Sequence, residues 1–274
     1  MWSKSFSCYL IFFFFISCLP NNVTEDKSLE KYFKEYNLSG CFGMFDNGQG
    51  QFTIYNTARF RDSVYLPAST FKIVNALIGI ETGRLKDDSV IMKWDGITHT
   101  VSEWNRDLLV RDAFKFSAVP AFRELARRIG KDTMQHWIDT LGYGSRYNKF
   151  IISNNLDTFW LDNALKVTAD EQLGMVKKLY FKQLPLQERS QRLVADMMRV
   201  ESNANYLLSY KTGWGHTERE HSVGWVVGWI EENKHPYFFV LQLESSDPNF
   251  NMIIPREKIL KQILVQYGFM KGKK

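Results

Sequence analysis

Tyr65-Leu66-Pro67-Ala68-Ser69-Thr70-Phe71-Lys72, continuing into Ile73-Val74-Asn75-Ala76-Leu77-Ile78-Gly79, is the most informative stretch of this 274-residue chain. Pro67-Ala68-Ser69 opens an apolar, helix-forming run that continues through Glu81 and stops at Gly83. Ser69 and Lys72 are three apart, which places both side chains on one face of the helix within mutual reach. At a helix start, unpaired amide groups and the positive end of the dipole point outward, so a serine there can act as a nucleophile whose own N–H helps hold an oxyanion. By itself, Ser-x-x-Lys also fits an N-cap serine beside a surface lysine. The apolar residues after Lys72 argue for its burial.

Working outward, the flanks differ in period. Ser28 to Tyr36 reads as a short helix, and two strands, Gly40–Phe45 and Gln51–Asn56, flank the turn signal Asn47-Gly48. The stretch from Asp107 to Val200 reads mostly helical, with helices at Val119–Ile129, Asp132–Leu141, Ala169–Phe181 and Gln187–Val200. Alternation of period two follows: Tyr206–Tyr210 leads into Lys211-Thr212-Gly213, and His221–Ile230 and Tyr237–Leu243 come next. A last helix, Arg256–Tyr267, begins after Pro255. Strands at both ends around a helical middle predict an α+β fold: an antiparallel sheet packed by N- and C-terminal helices, with a helical insertion lobe beside it. The functional site is expected where the two lobes meet.

Composition sets the outer limits. With 45% hydrophobic residues, 21 Phe, 12 Tyr and 8 Trp, a large core can be buried. The net charge of +5 is spread over 35 basic and 30 acidic residues without a block of like charge, which argues against nucleic acid as a partner. Lys4 and the apolar run Cys8–Ile16 fit a secretory signal peptide over residues 1–20, a run too short for a stable membrane span. Residues 21–274 then form a single domain, exported and periplasmic, with lipid anchoring through Cys18 as the alternative. Removal of the signal leaves Cys41 as a lone, inert thiol. His216 and His221, with Glu218 and Glu220 between them, lack a second ligand cluster and read as a solvated loop, so no metal is assigned.

Two further motifs are modest alone. In Lys211-Thr212-Gly213 the glycine permits close approach of a ligand, while Lys and Thr offer charge and a hydroxyl. Ser117-Ala118-Val119 can equally be an N-cap serine ahead of Pro120. In combination, Ser-x-x-Lys, Ser117 and Lys-Thr-Gly resemble the penicillin-recognising serine enzymes. Ser-Ala-Val in place of Ser-Asp-Asn, and the lack of a glutamate base motif, point to class D, the oxacillinase-type β-lactamases. Asn75-Ala76-Leu77-Ile78-Gly79, Phe159-Trp160-Leu161 and Gly224-Trp225-Val226-Val227-Gly228-Trp229 resemble the same family. Tyr143-Gly144-Ser145 departs from its usual Tyr/Phe-Gly-Asn, which leaves the part played by that element open.

The resemblance implies hydrolysis of β-lactam rings, hence antibiotic resistance, by a monomer or homodimer. Ser69 would be the nucleophile, and Lys72 the base after reaction with CO2. The Trp160 indole would hold that carboxylated lysine, and Ser117 would relay a proton. Lys211, Thr212, Gly213 and Arg256 would bind the substrate carboxylate, Val119 and Leu161 would line the site, and the Trp214 N–H would complete the oxyanion hole. Arg256 matches the family's arginine by position only, so a surface arginine stays open as the alternative. A D,D-peptidase and a β-lactam sensor domain share these motifs. They would differ in stopping at a stable acyl-enzyme.

Overall fold

The computed structural model describes residues 22–270, so the expected signal segment, Cys8 and Cys18 lie outside the described residues. Its first strand, β1 (Val23–Glu25), is followed by α1 (Glu30–Lys34) and by the hairpin β2 (Ser39–Asp46) and β3 (Gln51–Tyr55). The short helix α2 (Thr57–Asp62) comes next and was not anticipated from the sequence. Asn56, expected to end the strand, instead takes a left-handed φ of 59° and caps α2 by accepting from the Arg59 N–H. After the 3-10 turn Ala68–Phe71 come α3 (Lys72–Glu81), the small pair β4 (Ile91–Met92) and β5 (Leu108–Leu109), and α4 (Val110–Lys115). The helices α5 (Val119–Ile129), α6 (Lys131–Leu141), α7 (Ala169–Tyr180) and α8 (Glu188–Met197) follow. The chain closes with β6 (Arg199–Ser202), β7 (Tyr206–His216), β8 (Ser222–Glu232), β9 (His235–Ser245) and α9 (Ile253–Gln266).

Seven strands form one sheet in the order β1-β3-β2-β9-β8-β7-β6, antiparallel throughout except for the parallel β1–β3 pair. The interior strand β8, between β9 and β7, shows why both faces of the sheet are covered. Val223, Trp225, Val227 and Trp229 face the core shared with α3, α5 and α7, while Val226 and Ile230 face the core shared with α1 and α9. Period two with both faces apolar requires cover on both sides, which the terminal helices and the helical lobe supply.

Region 107–200 is helical as expected, except that 142–168 is irregular and carries Trp160. The last helix starts at Ile253, so Pro255 lies within its first turn, where the missing N–H costs no helical bond. Cys41 is buried on β2, and burial pushes its thiol up to about 12.

Candidate active site

The 3-10 turn Ala68–Phe71 lies one turn ahead of α3, so Ser69 precedes the α-helix itself. Residues three apart eclipse one another in such a turn, and Lys72 Nζ lies 2.9 Å from Ser69 Oγ. Ala68 carries a φ of 48°, a left-handed conformation costing roughly 1–3 kcal/mol for a residue with a Cβ. Its neighbours hold it there: the Ala68 N–H donates to Trp160 O at 3.0 Å.

Lys72 is fully buried, and the loss of hydration brings its ammonium down to about 7. The Phe122 ring lies 5.4 Å from Nζ, a wall of the lysine pocket that was not anticipated from the sequence. Trp160, also fully buried, stacks on Phe71 with ring centroids 5.1 Å apart. Its indole Nε1–H has no hydrogen-bond partner among the described residues. Orphaned buried donors are rare, and each costs about 1–3 kcal/mol.

Ser117 does not cap a helix. It has a φ of 54°, Ala118 occupies the cap position of α5, and no side chain caps that helix. The left-handed turn presents the Ser117 hydroxyl to Lys211, whose Nζ donates to Ser117 Oγ at 2.5 Å and to Thr212 O at 3.1 Å. Burial, first, and then the positive charges of Lys72 and Arg256 lower the affinity of Lys211 for its proton.

The strand β7 carries Lys211, Thr212, Gly213 and Trp214 along a free edge. The neighbouring β6 pairs with it only as far as Ser209, while β8 pairs along its whole length on the other side. The nucleophile turn packs against this stretch: a Cβ on Gly213 would lie 3.0 Å from Pro67 O and 3.2 Å from Thr70 Cγ2. A side chain here would crowd turn and strand, which glycine avoids. Arg256 is buried, not a surface arginine, and its Nη1 donates to Gly213 O at 3.0 Å. Ser69, Lys72, Ser117, Lys211 and Arg256 thus converge on one cleft, with half-buried Val119 near Ser117 and half-buried Leu161 beside Trp160.

The family model described as the penicillin binding protein transpeptidase domain matches residues 29–265. The β-lactamase OXA-48 of Klebsiella pneumoniae is 37% identical over 243 residues, covering 88% of each chain. The chain belongs to the class D β-lactamases. Among other members, OXA-10 of Pseudomonas aeruginosa is 34% identical across 98% of this chain and 100% of its own. The structure of FUS-1 (OXA-85), a class D β-lactamase from Fusobacterium nucleatum subsp. polymorphum, matches this class D β-lactamase with a TM-score of 0.83 at 33% identity. It covers 90% of this chain and 100% of that one.

His216 and His221 in this class D β-lactamase face other partners than a metal. His216 Nε2 lies 2.9 Å from Pro248 O, and His221 Nδ1 lies 2.6 Å from Glu244 Oε1. Among the described residues, no group of three or more His, Cys, Asp or Glu side chains could hold a metal ion. Nor is any described helix long and apolar enough to cross a membrane.

Proposed function

We propose that this enzyme opens the β-lactam ring of penicillin-type antibiotics through an acyl-enzyme on Ser69, with Lys72 as the base. The observation that carries the reading is a fully buried lysine 2.9 Å from a serine hydroxyl, brought down to about 7 by burial. Lys72 takes the proton of Ser69 as Oγ attacks the lactam carbonyl carbon. The N–H groups of Ser69 and Trp214 hold the oxyanion. Ser117 passes a proton to the lactam nitrogen as the C–N bond breaks, and Lys211 resupplies it through their hydrogen bond. Lys211, Thr212 and the Arg256 guanidinium bind the carboxylate of the substrate, between the flanking side chains of Val119 and Leu161. Once Lys72 has given up the proton it took and Lys211 has regained one, water, activated by the same base, releases the product and Ser69 recovers its proton.

CO2 fits the residues around Lys72. Only a neutral amine reacts with it, and burial supplies that form near neutral pH. The unpartnered Trp160 Nε1–H supplies the donor that an added carboxylate would accept from. When bound, CO2 turns the amine into N6-carboxylysine, an anionic base. The composition of the N-terminal segment supports export to the periplasm. Residues 21–274 would work as a single domain, in a monomer or homodimer. Steady turnover of a chromogenic cephalosporin, with a transient adduct on Ser69 seen by mass spectrometry, tests the reading. An adduct that forms and persists would place the chain with the D,D-peptidases in mechanism.

A further inference from the structure

Behind the nucleophile turn lies a buried hydrogen-bond chain that none of the steps above uses. Tyr143 OH donates to Gln172 Oε1 at 3.1 Å, and Gln172 Nε2 donates to Thr70 Oγ1 at 2.7 Å. Thr70 Oγ1 in turn donates to Pro67 O at 2.7 Å. Thr70 and Gln172 are 1% exposed and Tyr143 is 4% exposed, so water does not compete for these bonds.

Every link has a fixed polarity. Pro67 offers only a carbonyl, so the Thr70 hydroxyl must donate to it and can then only accept from Gln172. The amide NH2 of Gln172 therefore faces Thr70, and its carbonyl faces Tyr143. Burial holds the Tyr143 hydroxyl protonated, and so a donor, by raising its affinity for the proton. Gln172 lies on the stripe of α7 that also buries Ala169, Leu173, Val176 and Leu179, an expensive place for an amide without a partner.

We infer that Gln172 and Tyr143 are positioning residues for acylation: through Thr70 they hold the strained Ala68-Ser69 turn so that Ser69 Oγ stays aligned with its base. The inference rests on the assignment of Ser69 as nucleophile. The turn needs such support because Ala68, at a φ of 48°, sits between the two residues that the Thr70–Pro67 bond ties together, Pro67 on one side and Ser69-Thr70 on the other. A strained conformation persists only where its surroundings over-determine it. Tyr143-Gly144-Ser145 thereby acquires a role. Its first residue anchors the chain, whereas its altered third residue turns away, Ser145 Oγ donating to Gly142 O.

The test separates alignment from folding. Acylation by a chromogenic cephalosporin is measured under single-turnover conditions and expressed per folded molecule, for Gln172→Met, Tyr143→Phe, Thr70→Val and Thr70→Ser. A displacement of about 1 Å at a reacting atom costs on the order of 100-fold in rate, so Gln172→Met is expected to slow acylation by roughly 10- to 100-fold. Tyr143→Phe, which removes only the last donor, has a smaller effect in the same direction. Thr70→Ser keeps the hydroxyl and most of the rate, while Thr70→Val loses it. Adding Gln172→Met to Thr70→Val costs little more, because the two act in one chain.

Full-rate acylation in both Gln172→Met and Tyr143→Phe overturns the proposal. If Gln172→Met does not fold, Tyr143→Phe decides alone, and an undiminished rate there overturns it. Mass spectrometry of the unsubstituted enzyme keeps the two readings apart. Absence of an adduct on Ser69 removes the nucleophile assignment itself. An adduct together with full-rate acylation in both variants removes only the positioning role.

Discussion

Lys211 holds its proton less tightly than a free lysine, first because it is buried and then because Lys72, and after it Arg256, can place positive charge beside it. Burial weakens the hold of both ammonium groups on their protons, and an anion entering the cleft would strengthen it again. Four expected outcomes follow from this geometry and from the polar groups around it.

The lysine pair makes stability depend on pH. Lys72 falls from 10.5 in the unfolded chain to about 7 in the folded one. Between those values the unfolded state binds more protons, so the folded state gains stability as pH rises from about 7 towards 10.5. The penalty is fully present below about 7. In CO2-free buffer, Lys72→Met is expected to raise stability at neutral pH by roughly 1–3 kcal/mol and to flatten this dependence. Urea unfolding at a series of pH values measures it, and an unchanged slope in Lys72→Met would contradict the burial argument.

Ser69→Ala removes the proposed nucleophile but little packing. Turnover should vanish, while the loss of stability stays within about 1–3 kcal/mol, the cost of leaving the buried Lys72 Nζ without its Ser69 partner. Retained hydrolysis in Ser69→Ala would assign the attack to another group.

The proposed carboxylation of Lys72 would be reversible, so activity should respond to dissolved CO2. In degassed, mildly acidic buffer, activity falls, and added bicarbonate restores it. Trp160→Phe keeps the ring on Phe71 but loses the Nε1–H, a charge-assisted bond worth roughly 1.5–3 kcal/mol. The variant should need more bicarbonate and accumulate acyl-enzyme. A 13C spectrum with labelled bicarbonate that shows no carbamate signal in active protein would rule out this form of the base.

Arg256→Ala removes a guanidinium proposed to bind the substrate in ground and transition states alike. Its main effect is a rise in KM, roughly 10- to 100-fold, with a smaller change in kcat. The Gly213 carbonyl also loses its donor, so Arg256→Lys distinguishes charge from geometry. A collapse of kcat at constant KM would assign Arg256 to the chemical step instead.

Much of this site could be read from the chain because apolar context carries chemical meaning. Ile73, Val74 and Ala76-Leu77-Ile78 around a lysine implied burial, and Lys72 is fully buried. The sheet was visible through period two in β8, where both faces are apolar. Ser117 was open to a wrong local account, because Pro120 suggests a cap just before it. Only the backbone reveals that the residue turns left-handed and aims its hydroxyl across the cleft. Trp160 lies in 142–168, where no helical or strand period exists, so its placement depends wholly on contacts distant in sequence. Gln172 was passed over for a related reason. A single amide in an apolar stripe shows in the pattern, but its partners Thr70 and Tyr143 come from other elements.

Cys41 has a practical corollary. It is the one cysteine among the described residues, sequestered on β2 with a thiol raised to about 12, and so is closed to alkylation near neutral pH. A cysteine introduced at an exposed position, such as Ile91 or Val200, would be the sole reactive handle on that part of the molecule. In protein lacking residues 1–20, which hold Cys8 and Cys18, fluorescent or spin reporters could then be attached at one chosen place with Cys41 left in place. Movements of the loops around the cleft during a catalytic cycle could be followed in an otherwise unaltered background.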